Sequence, residues 1–283
     1  MRMPMRGPRP AAAAATRDHV LVAAAIGIGS LVTLLLGRVA FCLFATVLML
    51  VAYTDLRGLL GERGHLSTFA LGAGGTAAFV WCGYTGNLEL LPAYVAGLVL
   101  ALLVTRIVLN EAGVQTTGLV GDLSATVGAA AATGVLGSHV LLLRGVERVG
   151  FRGLLAFATM VAAHGVAAFF VGRWRGRHPV NKLVSPNKTW EGVFAGAAAS
   201  VVVGVVVGLV LDPPFTLASG LAFGAGVAVL APLGDLVFST IKRSAGVKRS
   251  AKYLGGAGGV LDVVDSFLFA APAFYWAFRT IAL

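Results

Sequence analysis

Between Gly234 and Asp265, three carboxylates (Asp235, Asp262, Asp265) stand among five cations: Lys242, Arg243, Lys248, Arg249 and Lys252. A hard ion such as Mg²⁺ is held by one or two carboxylates together with substrate phosphates. Lysine offers a phosphate a point charge, and arginine offers a planar fork of donors. The mixture points to chemistry on a phosphorylated substrate. Asp262 and Asp265 are three apart, so they share one face of a helix. Asp235 follows a glycine at the end of an apolar run, which places it near a membrane–water boundary. Asp235 and Asp262, brought together across the loop between them, would hold the metal. A salt bridge from each to a neighbouring lysine or arginine is the plainer alternative, and the residues alone leave both open.

A second charged segment, Gly172 to Gly192, carries Arg173, Arg175, Arg177, Lys182 and Lys188. Within it Ser185-Pro186-Asn187-Lys188-Thr189 is a turn-forming sequence leading into a helix at about Trp190. Hydroxyls, a turn and a lysine at a helix N-terminus make an anion cradle. A basic loop that binds lipid head groups is the alternative.

These segments interrupt a chain that is otherwise almost wholly apolar. Of its 283 residues 58% are hydrophobic and 12% charged, against about 25% charged in a soluble domain. The solvent is therefore lipid. A spanning helix needs roughly 20 apolar residues, and the fold expected is all-α: a polytopic integral membrane protein with about nine transmembrane helices. They are read over 20–36, 38–53, 67–84, 90–108, 118–143, 151–172, 193–211, 215–233 and 259–282. The runs are long and continuous, which argues against a barrel. The 38 glycines, many in Gly/Ala clusters, suit close helix packing. Residues 1–19 read as a disordered cytoplasmic basic tail, and 20–283 as a single transmembrane domain. The net charge of +10 follows the positive-inside rule rather than signalling nucleic acid. An even number of spans separates the two charged loops, so they share one face. The run Arg144 to Arg152, with three arginines, falls on the other face, against that rule. Cys42 and Cys82 read as buried apolar residues, and Asp122 as an interhelical polar contact. No internal repeat supports a transporter, and the charges gather in two loops rather than along many helices.

The charged segments resemble the phosphatidate cytidylyltransferases, also called CDP-diglyceride synthetases. Ser239, Ile241, Lys242-Arg243, Lys248, Ala251, Leu254, Gly255, Gly258-Gly259, Asp262 and Asp265 follow that family's C-terminal signature without a gap. Gly234-Asp235-Leu236, Ser185 to Thr189 and Glu191-Gly192 are similar to it as well, so the resemblance covers roughly 165–265. The chain departs from the pattern at Arg249, Ala257, Val263 and Phe238, and at Gly165 and Phe169 upstream.

The resemblance implies transfer of a cytidylyl group from CTP to phosphatidate, giving CDP-diacylglycerol and pyrophosphate. It implies Mg²⁺ on Asp235 and Asp262, with a second metal ion and Asp265 beside it. Lys188, Lys242 and Arg243 would hold phosphates, with Ser185, Thr189, Ser239, Arg173 and Lys248 as further substrate contacts. Expected partners are CTP, phosphatidate and membrane lipids, with a homodimer allowed for and no nucleic acid. The expected place is the cell (inner) membrane, with the site facing the cytoplasm. The altered signature motivates a rival reading: a catalytically reduced relative that binds nucleotide or anionic lipid.

Overall fold

The computed structural model describes residues 10–60, 66–114, 118–181, 185–247, 250 and 259–282. The chain runs as α1 Pro10–Leu36, α2 Arg38–Leu59, α3 Leu66–Thr85, a 3₁₀ turn Leu88–Leu90, α4 Leu91–Glu111, α5 Leu119–Ala130, α6 Leu136–Gly145 and α7 Gly150–Arg175. A hairpin follows, β1 Pro179–Asn181 with β2 Ser185–Thr189, and then α8 Trp190–Val210, α9 Leu217–Ser244 and α10 Leu261–Ala282. One π-helical turn, Ala131–Val135, joins α5 to α6, so the two form a continuous rod over Leu119–Gly145. Among the described residues eight rods are long and apolar enough to cross a membrane, and Val20–Leu36 is a shorter apolar ninth.

Three expectations need correction. Helix α1 begins at Pro10, taking in half of the segment read as a disordered tail. Proline at the first helical position and the run Ala11 to Ala15 both favour the helix. Residues 185–189 form a strand rather than a turn, held extended by antiparallel pairing with β1 in the register Pro179↔Thr189 and Asn181↔Ser185. Helix α9 continues to Ser244, well past the span read as 215–233. Leu236, Val237, Phe238 and Ile241 extend its apolar pattern, while Lys242 and Arg243 in the last turn oppose the helix dipole. Asp235 therefore lies inside the helix, about 14 Å short of its end at 1.5 Å per residue.

Successive helices reverse direction, so their connections fall on two faces. The four joining α2 to α3, α4 to α5, α7 to α8 and α9 to α10 share one face, called here the loop face. Packing differs along the chain. Helix α8 buries Gly192, Gly196, Ser200 and Gly204, one small residue per turn. A Cβ on Gly204 would collide with the carbonyl oxygen of Gly220 on α9, and one on Gly220 with that of Gly204. The backbones can come this close only because both positions lack side chains. Helices α7, α9 and α10 are joined instead by aromatic rings, with Phe274 lying 4.6 Å from Phe223 and 4.8 Å from Phe157 between centroids.

Arg152, Arg144 and Arg38 on the far face have partners there. Arg152 pairs with Asp212 at 3.2 Å, and Arg144 lies over the Phe151 ring. Arg38 lies over the Tyr84 ring and donates to the Tyr84 carbonyl. Cys42 and Cys82 are free and buried, as expected.

Candidate functional site

The hairpin is fastened to the start of α8 before it presents anything. Thr189 caps that helix, its hydroxyl oxygen accepting from the Gly192 N–H at 3.3 Å. The Trp190 N–H donates to the His178 carbonyl at 2.8 Å, and His178 Nδ1 meets Glu191 Oε1 at 2.6 Å. Gly176 lies tight against Thr189, and Gly192 against Gly172 on α7. The strand so fixed aims Lys188 at α9.

On α9, Asp235, Ser239 and Lys242 stand at i, i+4 and i+7, along one face. Lys188 Nζ reaches Asp235 Oδ2 at 2.5 Å and donates to Ser239 Oγ at 3.4 Å. Ser239 in turn donates to Asp235 Oδ1 at 3.4 Å. One turn further, Lys242 Nζ binds Asp262 Oδ1 at 2.6 Å and lies 4.0 Å from Asp265 Oδ2. The other oxygen of Asp262 accepts the N–H groups of Gly259 at 3.2 Å and Ser250 at 3.3 Å. Asp265 Oδ1 accepts from the Ser266 N–H at 2.6 Å. Its Oδ2 is buried with no hydrogen-bond partner, and its carboxyl lies within the field of Asp235, Lys188 and Lys242.

Six residues named from sequence thus converge: Lys188, Asp235, Ser239, Lys242, Asp262 and Asp265. Thr189 is the helix cap beside them. Ser185 is held in the hairpin opposite Asn181. Arg173 is exposed on the last turn of α7, and Arg243 donates to the Val247 carbonyl at 3.3 Å, at the end of α9. Lys248 lies outside the described residues, as do Arg249, Lys252 and Ala257.

Both salt bridges that the sequence left open are present, since each proposed metal ligand holds a lysine. Among the described residues no three His, Cys, Asp or Glu side chains form a cage for a metal ion. That suits a hard ion completed by substrate oxygens, and the unsatisfied oxygen of Asp265 is the kind of donor such an ion takes. Phosphates entering here would compete with the aspartates for the lysines, and a cation would compete with the lysines for the aspartates.

Asp55 lies outside the residues singled out from sequence. Near the end of α2, it is buried and its Oδ2 accepts the Leu261 N–H, at the start of α10, at 3.2 Å. Two residues on, Arg57 meets Asp122 of α5 at 2.8 Å, while Arg106 of α4 meets the same carboxylate at 2.5 Å. Asp122 is therefore the interhelical contact expected of it. An aspartate just past an apolar span, two residues from an arginine, was the available signal.

Comparison with known proteins identifies the family. The profile of the Cytidylyltransferase family matches residues 17–281. A Synechocystis phosphatidate cytidylyltransferase is 40% identical over 123 residues, 44% of this chain and 41% of that protein. One from Brucella suis is 40% identical over 141 residues, 47% of this chain and 49% of that protein. An Arabidopsis thaliana chloroplastic phosphatidate cytidylyltransferase is 39% identical over 127 residues, 45% of this chain and 32% of that protein. The matched part thus spans less than half the length of these relatives.

Proposed function

The chain belongs to the cytidylyltransferase family, and we propose that it transfers the cytidylyl group of CTP to phosphatidate, releasing pyrophosphate and forming CDP-diacylglycerol. A phosphate oxygen of phosphatidate attacks the α-phosphorus of CTP, and the bond to the β-phosphate bridging oxygen breaks in line. Both reactants are anions, so neutralising charge and aligning the two groups are the protein's main tasks. The nucleophile is already ionised at neutral pH, so the site needs no strong general base.

The observation that carries this reading is the convergence of two lysine–aspartate pairs, Lys188–Asp235 and Lys242–Asp262, beside the unsatisfied carboxylate oxygen of Asp265. In the loaded site Lys188 and Lys242 turn from their aspartates to phosphate oxygens, and Ser239 donates to the same oxygens. Asp235 and Asp262, with Asp265, would hold Mg²⁺, which supplies charge neutralisation to the triphosphate and the leaving pyrophosphate. Arg243 adds a further positive charge at the end of α9. The loop face carries the basic hairpin and the α9–α10 connection, so the positive-inside rule assigns it to the cytoplasm of an inner membrane. Lipid substrate then enters sideways, keeping its tails among the helices.

The test gives detergent-purified protein CTP, phosphatidate and Mg²⁺, with pyrophosphate release and CDP-lipid formation measured together. Turnover that Asp235→Asn and Asp262→Asn each lower about 10²–10³-fold is the expected result. Metal-dependent CTP binding without turnover by folded wild-type protein would instead assign a binding role.

A further inference from the structure

We propose that Asp55 is a positioning residue for the transfer site, capping α10 from the N-terminal half of the chain and thereby fixing Asp262 and Asp265. Helix α10 begins at Leu261, and its first N–H groups have no partner within the helix. An N-cap side chain normally comes from the residue just before the helix; here that residue is Val260, which has no acceptor to offer. The Leu261 N–H goes instead to Asp55, 206 residues away in sequence, at 3.2 Å.

The carboxylate is 3% exposed and forms no ion pair among the described residues. The Leu261 N–H is a described donor to it. The chain also passes tightly beside it. A Cβ on Gly259 would collide with Asp55 Oδ2 and Ser250 Oγ, so glycine lets the backbone come up to the carboxylate. Gly259 and Ser250 are the same residues whose N–H groups hold Asp262 Oδ2. One carboxylate thus sets the start of the helix on which Asp262 is the second residue and Asp265 the fifth. The end of α2 is held in turn by Arg57, through Asp122 and Thr68 at 2.8 and 3.0 Å.

The proposal rests on the transfer reading for its kinetic readout alone. Full-length wild type, Asp55→Ala, Asp55→Asn and Gly259→Ala are purified in detergent. Amide hydrogen exchange is followed over Val260 to Asp265, and kcat and KM for CTP are measured alongside. Asp55→Ala is expected to speed exchange there and lower kcat about tenfold, the size of one charge-assisted hydrogen bond, with KM little changed. Asp55→Asn recovers most of both, because an amide oxygen still accepts the N–H. Gly259→Ala mimics Asp55→Ala in the wild-type background and adds little to it in the double variant.

Unchanged exchange in Asp55→Ala overturns the proposal, as does a folded Asp55→Asn damaged as badly as Asp55→Ala. If Asp55→Ala does not fold, Asp55→Asn and Gly259→Ala decide by the same readouts. If the wild type shows no turnover, the transfer reading fails, while the exchange data still judge the cap.

Discussion

Arg57, Arg106 and Asp122 in the N-terminal helices, and Lys188 and Asp235 in the C-terminal half, are all cation–carboxylate contacts at nearly the same separations, 2.5–2.8 Å. Their surroundings differ. The first three side chains are 4%, 8% and 2% exposed, whereas Lys188 and Asp235 are 24% and 38% exposed. Lys242 and Asp262 lie between, at 9% and 10%. A sealed ion pair cannot exchange partners without bringing water or ligand into the core, so it acts as structure. A half-open pair can release its lysine to an arriving phosphate. Access to solvent, rather than residue type, separates the Asp122 ion pairs that hold helices together from the Lys188–Asp235 pair.

Asp235→Asn should break the open side of this contrast. Turnover should fall about 10²–10³-fold, the scale of losing one electrostatic contact to the reacting groups. Stability should change by less than about 1 kcal/mol, as for an exposed pair. CDP-lipid formation and denaturation in detergent measure the two separately, and a large stability loss would erase the distinction. On the sealed side, Asp122→Asn leaves two buried arginines without their counter-charge, and destabilisation of about 3–5 kcal/mol is expected. Chemical denaturation in micelles reads it, and a near-neutral result would show that water reaches the triad.

A smaller effect tests the packing between the halves of the site. Gly204→Ala forces α8 away from the Gly220 backbone, where no flexible side chain can yield, and should lose about 1–3 kcal/mol. The smallest effect belongs to the far face. There Arg152 and Asp212 are 45% and 80% exposed, and Arg152→Ala should shift stability by no more than about 0.5 kcal/mol. A larger shift would mean that this pair is shielded in the bilayer as the Arg57 pair is shielded in the core.

Much of the site was legible because its chemistry is written locally. Asp235, Ser239 and Lys242 show a helical period, and Thr189 before Trp190 marks a helix start. The length of α9 was not legible: an aspartate after a glycine looks like a chain break, yet Leu236, Val237, Phe238 and Ile241 carry the apolar pattern past it. The β-hairpin was hidden for a related reason. Pro186 and Asn187 favour turns in isolation, and pairing with β1 overrides them. Asp55 gave the weakest signal, since its partner is a backbone N–H that no residue type announces.

The sequence by itself determined the solvent, the number of apolar rods and the residue types available for phosphate chemistry. Length, hydropathy and ligand character are properties that can be counted along a chain. The tertiary structure decided which lysine meets which aspartate, which charges are sealed, and that Asp55 reaches the start of α10. Those facts depend on how rods distant in sequence pack, Lys188 against Ser239 across 51 residues and Asp55 against Leu261 across 206. Helix packing is set by small residues and rings spread over the whole chain, so no local pattern records it.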